Sequence, residues 1–376
     1  MEFTVNKTHF LDALSDIRKV ISSSSLIPVT SGISIIAKED RLTLVGTNLD
    51  FFIQRDIPVK IGDQQIVSIQ KTGIVYVPSK AFTEIVKRLP DQISVTVNDD
   101  RFINIESESI NTRLNQVRLE EFPDIPDAPT HVRLKMNSAQ LVEVIKQTSF
   151  AVSTNQSRPA LTGIHVSFTT EKLLAVATNS IRLAMRSLPI QSDCEISCII
   201  PQSTLTEFLK LSSSFCEHLE ISISDHHILF EAEDIKLYSR LIGGDYPSTS
   251  GLIPSETTTE IIMDTKELLK GIDRSYILAS DKQNNNVTLK LSEEDDQIQI
   301  SSLSSEVGQI CEWQSVKQIT GEKALDITFD GQYIIDALKT MNDQEVSISF
   351  NGSMRPILIK PANREDQLHL ISPVRS

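Results

Sequence analysis

The chain contains one helix–strand–strand unit three times, and this repetition limits its fold more than any other feature. The unit from Val77 to Phe102 reads V-P-S-K-A-F-T-E-I-V-K-R-L-P, then I-S-V-T-V, a polar turn and R-F-I-N-I. Apolar residues at helical spacing predict a helix in its first part, and alternation predicts half-buried strands in its second part. Related units begin at Pro201 and near Asp330. Three copies at nearly constant spacing predict three homologous domains.

The first half of each domain repeats as well, as a strand followed by a helix. Thr8, Ser138 and Thr265 each stand three residues before a leucine at the start of these helices, which predicts that they cap them. Proline-rich exits near 120–126 and 244–254 give domain boundaries at 1–125, 126–253 and 254–376. Two helices and roughly eight strands per domain predict an α+β fold with antiparallel sheets. Strands pairing across the boundaries would join the three domains.

Composition restricts the classes of protein to which the chain can belong. No apolar run approaches the ~18–20 residues of a membrane span, and the first residues lead directly into a strand, so we expect a soluble, cytoplasmic protein. The formal net charge is −14, which allows binding to nucleic acid only if cations are sorted onto one face. The six predicted helices carry eleven cations against nine acids. They could therefore share a mildly positive face, or be ordinary amphipathic helices.

Signatures of catalysis are absent from the sequence. It contains neither a Walker phosphate loop nor a G-x-G-x-x-G motif. Cys194 and Cys198 lack a second metal-binding pair, so we interpret them as thiols rather than zinc ligands. His226 and His227 fall in a predicted hairpin turn, and the acidic run 293–296 is interpreted as a solvated turn rather than a nuclease site. We predict a non-enzyme without a metal or cofactor.

Several local motifs resemble the bacterial DNA polymerase III beta subunit family, the sliding clamps. They are F-T-V near the start, I-P-V-T-S-G-I (27–33), F-A-V-S-T-N-Q-S-R-P-A-L-T-G-I (150–164), A-T-N-S-I-R-L-A (177–184), G-D-Y-P-S-T-S-G-L-I-P (244–254) and S-P-V-R (372–375). The resemblance covers the whole chain in order. It implies a head-to-tail dimeric ring with two helices per domain inside and antiparallel sheets outside. Such a ring encircles duplex DNA as a processivity factor.

The resemblance also implies partners and site residues. The expected partners are a second copy of the chain, duplex DNA without sequence preference, the DNA polymerase III catalytic subunit, the clamp loader and other clamp-motif proteins of repair and ligation, at the nucleoid and without a membrane. The implied partner-peptide groove comprises Leu161, Thr178, Ser180, Ile181, Arg182, Leu183, Pro247, Leu252, Leu370, Ile371, Pro373, Val374 and Arg375. The implied DNA-facing cations are Arg18, Lys19, Lys80, Lys87, Arg88, Lys146, Arg158, Lys210, Lys270, Arg274 and Lys339. The implied dimer interface contains Leu114, Ile277 and Leu278.

The chain departs from the family pattern at a few of these places. Ser24 replaces a frequent loop arginine, Gln202-Ser203 replaces a basic pair, Ile181 replaces a usual histidine, and Thr112 stands where an aromatic residue is common. These changes predict a divergent or second clamp with weaker attraction to DNA and a looser dimer. The alternative is a paralogue that acts mainly as a peptide-binding scaffold. A nuclease is a third interpretation, which the lack of clustered carboxylates disfavours.

Overall fold

The protein is described by a computed structural model that covers residues 1–19, 21, 28–99, 101–116, 122–125, 132–254, 256–280, 285–304 and 306–374. The chain divides into two compact units. The first combines Met1–Val142 with Ser203–Leu241, and the second combines Glu143–Gln202 with Ile242–Ser376. The second predicted repeat therefore contributes to both units. Ser24 and Arg375 lie outside the described residues.

The described part of the chain contains six α-helices, two in each predicted repeat. They are α1 (Lys7–Arg18), α2 (Ser79–Val86), α3 (Ser138–Thr148), α4 (Gln202–Leu211), α5 (Thr265–Ala279) and α6 (Gly331–Lys339).

The strands follow the same threefold division. The first repeat contains β1 (Glu2–Asn6), β2 (Gly32–Ala37), β3 (Arg41–Thr47), β4 (Phe51–Pro58), β5 (Lys60–Ile61), β6 (Gln64–Gln65), β7 (Val67–Lys71), β8 (Gly73–Pro78), β9 (Gln92–Asp99), β10 (Phe102–Ser107) and β11 (Ile110–Asn115). The second contains β12 (Val132–Asn137), β13 (Gly163–Phe168), β14 (Lys172–Thr178), β15 (Arg182–Pro189), β16 (Ile196–Pro201), β17 (His218–Ile223), β18 (His227–Ala232) and β19 (Ile235–Arg240). The third contains β20 (Thr259–Asp264), β21 (Asn286–Leu291), β22 (Gln297–Ser304), β23 (Gly308–Ser315), β24 (Gln318–Gly321), β25 (Asp326–Asp330), β26 (Glu345–Phe350), β27 (Ile357–Pro361) and β28 (Gln367–Ile371).

The first unit contains two large antiparallel sheets and a two-stranded β5-β6 ribbon. The strand orders are β11-β10-β9-β1-β7 and β12-β17-β18-β19-β4-β3-β2-β8. Phe3, Phe10 and Phe82 are fully buried between α1, α2 and the five-stranded sheet, and their rings meet edge to face at 6.1 and 5.8 Å. The helices are thus fixed to the sheet by their apolar faces, as their periodicity predicts.

The second unit contains a nine-stranded and a four-stranded antiparallel sheet. Their orders are β16-β13-β14-β15-β28-β27-β26-β20-β24 and β23-β22-β21-β25. One apolar core joins helices and sheets here, with Ile272 of α5, Ile335 of α6 and Phe329 of β25 all at most 1% exposed. This architecture is the α+β arrangement that the sequence predicts.

Sheets continue across the predicted repeat boundaries in both units. In the first unit, β4 of the first repeat pairs with β19 of the second. In the second unit, β15 of the second repeat pairs with β28 of the third. We call these pairings the first and second junctions.

The caps of the first helix in each repeat differ from the prediction. Asn6 accepts hydrogen bonds from the amides of Thr8 and His9 at 3.0 and 3.5 Å, and Asp264 accepts from Lys266 and Glu267, both at 3.0 Å. Asn137 accepts from the Gln140 amide at 3.1 Å. The prediction of Thr8, Ser138 and Thr265 as caps was wrong. The last residue of each preceding strand is an Asx residue that already satisfies the free amides, so the Ser or Thr lies inside the helix.

The residues weighed as chemical sites have ordinary surroundings. Cys198 is buried in β16, and burial raises its thiol pKa to about 12. His226 is exposed in the β17–β18 turn, and residues 293–296 form the turn between β21 and β22. Among the described residues, no group of three or more His, Cys, Asp or Glu could hold a metal ion. None of the described helices is long and apolar enough to cross a membrane.

Candidate peptide groove and cationic helix faces

The second junction has an apolar cluster on one face. Val176 of β14, Leu183 of β15 and Leu370 of β28 form it, at 2%, 2% and 5% exposure. Leu183 and Leu370 are direct cross-strand partners, so their side chains project from the same face. Four partly buried residues pack against this cluster: Leu174, Met185, Tyr246 and Leu368.

A tight turn between β14 and β15 shapes one edge of the cluster. The Thr178 hydroxyl donates to the Arg182 carbonyl at 2.7 Å and accepts from the Ser180 amide at 3.1 Å. The Asn179 side-chain oxygen accepts from the amides of Ile181 and Arg182 at 3.0 and 2.9 Å. Ser180 adopts a left-handed conformation, with φ of 78°. The turn leaves the Ile181 side chain 47% exposed at the rim.

The other predicted groove residues differ in their exposure. Leu252 is 52% exposed in the 3-10 turn Ser250–Leu252, and Pro247 is exposed just before that turn. Leu161 and Ile371 are buried, at 5% and 2%. The two remaining described residues, both partly exposed, are Pro373 and Val374.

Arg182 points away from the apolar cluster. Its guanidinium donates to Asp336 of α6 at 2.5 Å and to the carbonyl of Phe150. It also lies over the Tyr333 ring, 4.5 Å from the centroid. The Arg182 side chain is only 12% exposed. Its charge is therefore matched within the chain.

A second arginine on the same face of β15 ties both junction strands to helix α3. Arg186 donates to the side chain of Gln147 in α3 at 2.6 Å and to the carboxylate of Asp366, just before β28. Next to it, the Gln367 amide lies 3.0 Å from the ring of His369, which is fully buried. Burial lowers the pKa of His369 to about 3, so the ring is neutral at physiological pH. The two strands thus present apolar groups on one face and a polar network on the other.

Several residues of the apolar cluster and its surroundings are not among the predicted groove residues. Leu174, Val176, Met185 and Leu368 follow from the period of two along strands that carry predicted groove residues, so this signal was available. The Tyr246 ring stacks on His165, with centroids 5.1 Å apart and planes at 19°. Burial raises the pKa of Tyr246 to about 12. No local pattern indicates that ring pair, because its members are far apart in sequence.

Most of the predicted DNA-facing cations are paired with carboxylates of the chain. Glu84 of α2 lies within 3.6 Å of Arg18, 3.2 Å of Lys87 and 2.8 Å of Arg88. Its carboxyl pKa falls to about 2, chiefly through the hydrogen bond from Arg88. Four more of these cations form ion pairs: Lys19 with Asp16, Lys210 with Glu207, Lys270 with Glu267 and Arg274 with Glu312.

Three predicted DNA-facing cations are exposed and have no ion-pair partner among the described residues. They are Lys80 of α2, Lys146 of α3 and Lys339 of α6. Arg158 is also exposed and donates to the Ser180 hydroxyl at 3.4 Å, a weak contact. Within the part of the chain that the structure describes, each unit therefore has at least one helix cation without an ion-pair partner.

The predicted dimer-interface residues lie beside the outermost strands of their sheets. Ile277 of α5 is 67% exposed, and Leu278 and Leu114 are partly exposed. Leu114 belongs to β11, the last strand of the five-stranded sheet, and β23 is the last strand of the four-stranded sheet. Trp313 on β23 is 50% exposed, which the sequence analysis did not single out.

Comparison with known proteins gives a consistent result over the whole chain. Three family models match: the N-terminal domain of the DNA polymerase III beta subunit at residues 1–126, its central domain at 135–248 and its C-terminal domain at 250–375. The beta sliding clamp of Bacillus subtilis is 38% identical over 379 residues, covering 100% of both chains. The crystal structure of a DNA polymerase sliding clamp from the same organism superposes with a TM-score of 0.96 at 37% identity, covering 100% of this chain and 99% of that one. The DNA polymerase III beta chain of Streptococcus pneumoniae gives a TM-score of 0.94 at 33% identity, with 100% of both chains covered.

Proposed function

The chain belongs to the DNA polymerase III beta subunit family, the beta sliding clamps, and on this premise we propose that two copies close head to tail into a ring around duplex DNA. A beta sliding clamp is the processivity factor of DNA polymerase III and a non-catalytic accessory subunit. A ring is held on DNA by topology and needs little contact free energy. Weak, sequence-independent attraction to phosphates is then sufficient, and it leaves the ring free to slide.

The second junction is the proposed docking groove for partner peptides. The observation that carries this proposal is the apolar cluster of Val176, Leu183 and Leu370, with the exposed Ile181 on the turn that leads into β15. Leu252, also exposed, follows six residues after Tyr246, which packs on the cluster. Such a surface suits a short peptide that inserts apolar side chains, with backbone groups at the turn as polar anchors. The proposed ligands are segments of the polymerase catalytic subunit, the clamp loader and proteins of repair and ligation.

Substitutions at the exposed rim test the groove without disturbing the core. We expect Ile181→Asp and Leu252→Asp to weaken binding of a fluorescent apolar peptide at least tenfold in an anisotropy titration, because each places a carboxylate against an apolar ligand. Ile74→Asp is the matched control, since Ile74 is 47% exposed on β8, outside the groove. If all three variants bind the peptide with the affinity of the unsubstituted chain, the second junction is not the peptide-binding groove.

The ring joint is proposed to form between the outermost strands β11 and β23 of two subunits. Their exposed backbone edges can continue the sheets from one subunit to the next, and Ile277, Leu278 and Leu114 would add apolar contact beside them. Thr112 on β11 offers less apolar surface than an aromatic residue, which supports a looser dimer. We retain 1–125, 126–253 and 254–376 as proposed domain boundaries, and the nucleoid as the proposed location.

We also propose that this clamp is attracted to DNA only weakly. Seven of the eleven cations assigned to the DNA-facing surface are paired with carboxylates of the same chain, so a phosphate must compete for them. Such exposed pairs each contribute little to stability, so a phosphate can compete with the carboxylate for the cation. The pairing also favours the second candidate, a paralogue that acts mainly as a peptide-binding scaffold.

A further inference from the structure

The first junction has the same construction as the second. The turn between β3 and β4 repeats the hydrogen bonds of the groove turn: the Thr47 hydroxyl donates to the Phe51 carbonyl at 2.9 Å and accepts from the Leu49 amide at 2.9 Å. Leu49 is left-handed, with φ of 80°, as Ser180 is in the groove. Phe52 of β4 is the direct cross-strand partner of Tyr238 of β19, the pairing that Leu183 and Leu370 make at the second junction.

Both faces of the first junction match the second as well. On one face, Val45, Phe52, Leu229 and Tyr238 form an apolar cluster, each at most 7% exposed. On the opposite face, Arg55 of β4 pairs with Asp16 of α1 and with Asp234 before β19. Arg186 makes the corresponding contacts at the second junction, with Gln147 of α3 and Asp366 before β28. The two junctions are thus two copies of one structural device.

The cover of the cluster differs between the two copies. At the first junction, Phe122 and Ile125 both pack on the cluster, and the Phe122 ring lies 5.0 Å from that of Tyr76. At the second, Tyr246 occupies the place of Phe122, since Y-P-S-T (246–249) corresponds to F-P-D-I (122–125). The counterpart of Ile125 is therefore Thr249, a polar residue. Among the described residues, Ile125 is thus an apolar side chain over the first junction that has no apolar counterpart at the second, and Ile36 of β2 packs on the same cluster.

We propose that the first junction is a second peptide groove, occupied in cis by Ile125 beside Phe122. This inference rests on the proposed function, because it assigns to the first junction the peptide-binding role proposed for the second. An apolar side chain of the chain itself is present there at very high effective concentration, so it excludes a peptide supplied in trans. The chain then offers one open groove per subunit, although it contains the framework for two.

The surroundings of the first junction predict what it binds when opened. Beyond Val45 on the same face of β3 lie Thr43 and its cross-strand partner Asp56. Asp56 lines a cavity of about 450 Å³ together with Asp40, Arg41, Pro58, Ile61, Glu233 and Asp234. The four carboxylates of this lining face two guanidinium groups, that of Arg41 in the lining and that of Arg55, which pairs with Asp234, so the cavity keeps a net negative charge. An apolar peptide that ends in lysines matches both the cluster and this cavity.

Peptide stoichiometry tests the proposal. The probe is a fluorescein-labelled peptide, Leu-Ala-Leu-Phe-Lys-Lys, titrated calorimetrically and by anisotropy into the full chain. We expect one site per subunit in the unsubstituted protein and two in Ile125→Thr, which installs the residue found at the second junction. Ile125→Val keeps an apolar cover and is the matched control, with one site. Leu49→Asp, at a position 40% exposed on the rim, should remove the additional site from the Ile125→Thr variant.

The controls separate this inference from the groove proposal. If the unsubstituted chain binds no peptide, the proposal of a groove at the second junction fails. A single site that Ile125→Thr gains and that Leu49→Asp removes would still support the proposed groove at the first junction. Thermal melting checks that the variants fold, and Ile125→Ala replaces Ile125→Thr if the latter melts early. No gain of a site in either folded variant would overturn the proposal, as would a gain that Leu49→Asp leaves unchanged.

Discussion

Glu84 is expected to restrain the attraction of the ring to DNA, and its replacement gives a quantitative prediction. Its carboxylate contacts Arg18, Lys87 and Arg88, which belong to the proposed DNA-facing surface. The Glu84→Gln substitution removes one negative charge per subunit and keeps the size of the side chain. Arg18, Lys87 and Arg88 then lose their ion pairs with this carboxylate and become available to bind phosphates. The variant should bind duplex DNA more tightly at low salt.

The magnitude follows from counterion release. If each subunit of a two-subunit ring gains one phosphate contact, the slope of log K against log salt steepens by about 1.8, because each contact contributes about 0.9. Between about 50 and 200 mM salt, the variant should then lose about twelvefold more affinity than the unsubstituted protein. Fluorescence anisotropy with a labelled duplex over this salt range measures both slopes.

A matched charge change separates local from general effects. Glu365→Gln alters the net charge equally, but Glu365 precedes β28, and its side chain is 90% exposed and 3.9 Å from Lys360. It should leave the slope unchanged. Identical slopes for Glu84→Gln and the unsubstituted chain, or equal steepening in both variants, would refute the assignment of α1 and α2 to the DNA-facing surface.

Three further predictions concern stability and assembly. Arg186→Leu should lower the free energy of unfolding by about 2 kcal/mol in urea denaturation, because Asp366 then keeps only Arg364 as an ion-pair partner and the Gln147 side-chain oxygen loses its donor; an unchanged midpoint would contradict this. His369 is neutral in the folded chain, since burial lowers its pKa to about 3, whereas the same side chain takes up a proton below about pH 6.5 in the unfolded chain. The free energy of unfolding should therefore fall by up to about 1.4 kcal/mol per pH unit as the pH drops below 6.5. His369→Gln should make the free energy of unfolding less dependent on pH in this range. Ile277→Asp should raise the dimer dissociation constant at least tenfold, as measured by sedimentation, whereas Ile74→Asp, at 47% exposure on β8, should leave it unchanged. Equal dissociation constants for the two variants would exclude Ile277 from the ring joint.

Repetition and periodicity made the architecture predictable from the sequence. The six helices and the antiparallel sheets follow from apolar spacing, which depends on residues close together in the chain. Pairing of strands between repeats was only a possibility, because it joins strands far apart in sequence, such as β15 and β28. The helix caps were misassigned because a Ser or Thr near a helix start is a weaker local signal than the Asn or Asp that ends the preceding strand. Asn6 and Asp264 could have been chosen from the same pattern.

The side-chain partners of charged residues were not predictable in the same way. Arg274 pairs with Glu312, 38 residues away, and Arg182 with Asp336, 154 residues away. Such pairs depend on tertiary packing, which spacing along the chain does not encode. The resemblance to the family implied a set of DNA-facing cations, whereas their pairing with carboxylates emerges only from the structure. Similarly, the resemblance of the two junctions becomes visible only when the strand registers are compared.

Retention on circular and linearised DNA tests the central claim most directly. The ring is loaded onto a nicked circular plasmid by a cognate clamp loader with ATP, separated by gel filtration, and the plasmid is then cut once. A topological clamp stays with the circle and is lost after linearisation, and we expect this result even at salt concentrations that abolish direct binding to a short duplex. Loss from the intact circle would leave the peptide-binding scaffold as the better account, and retention after cutting would mean that contact, not topology, holds the protein on DNA.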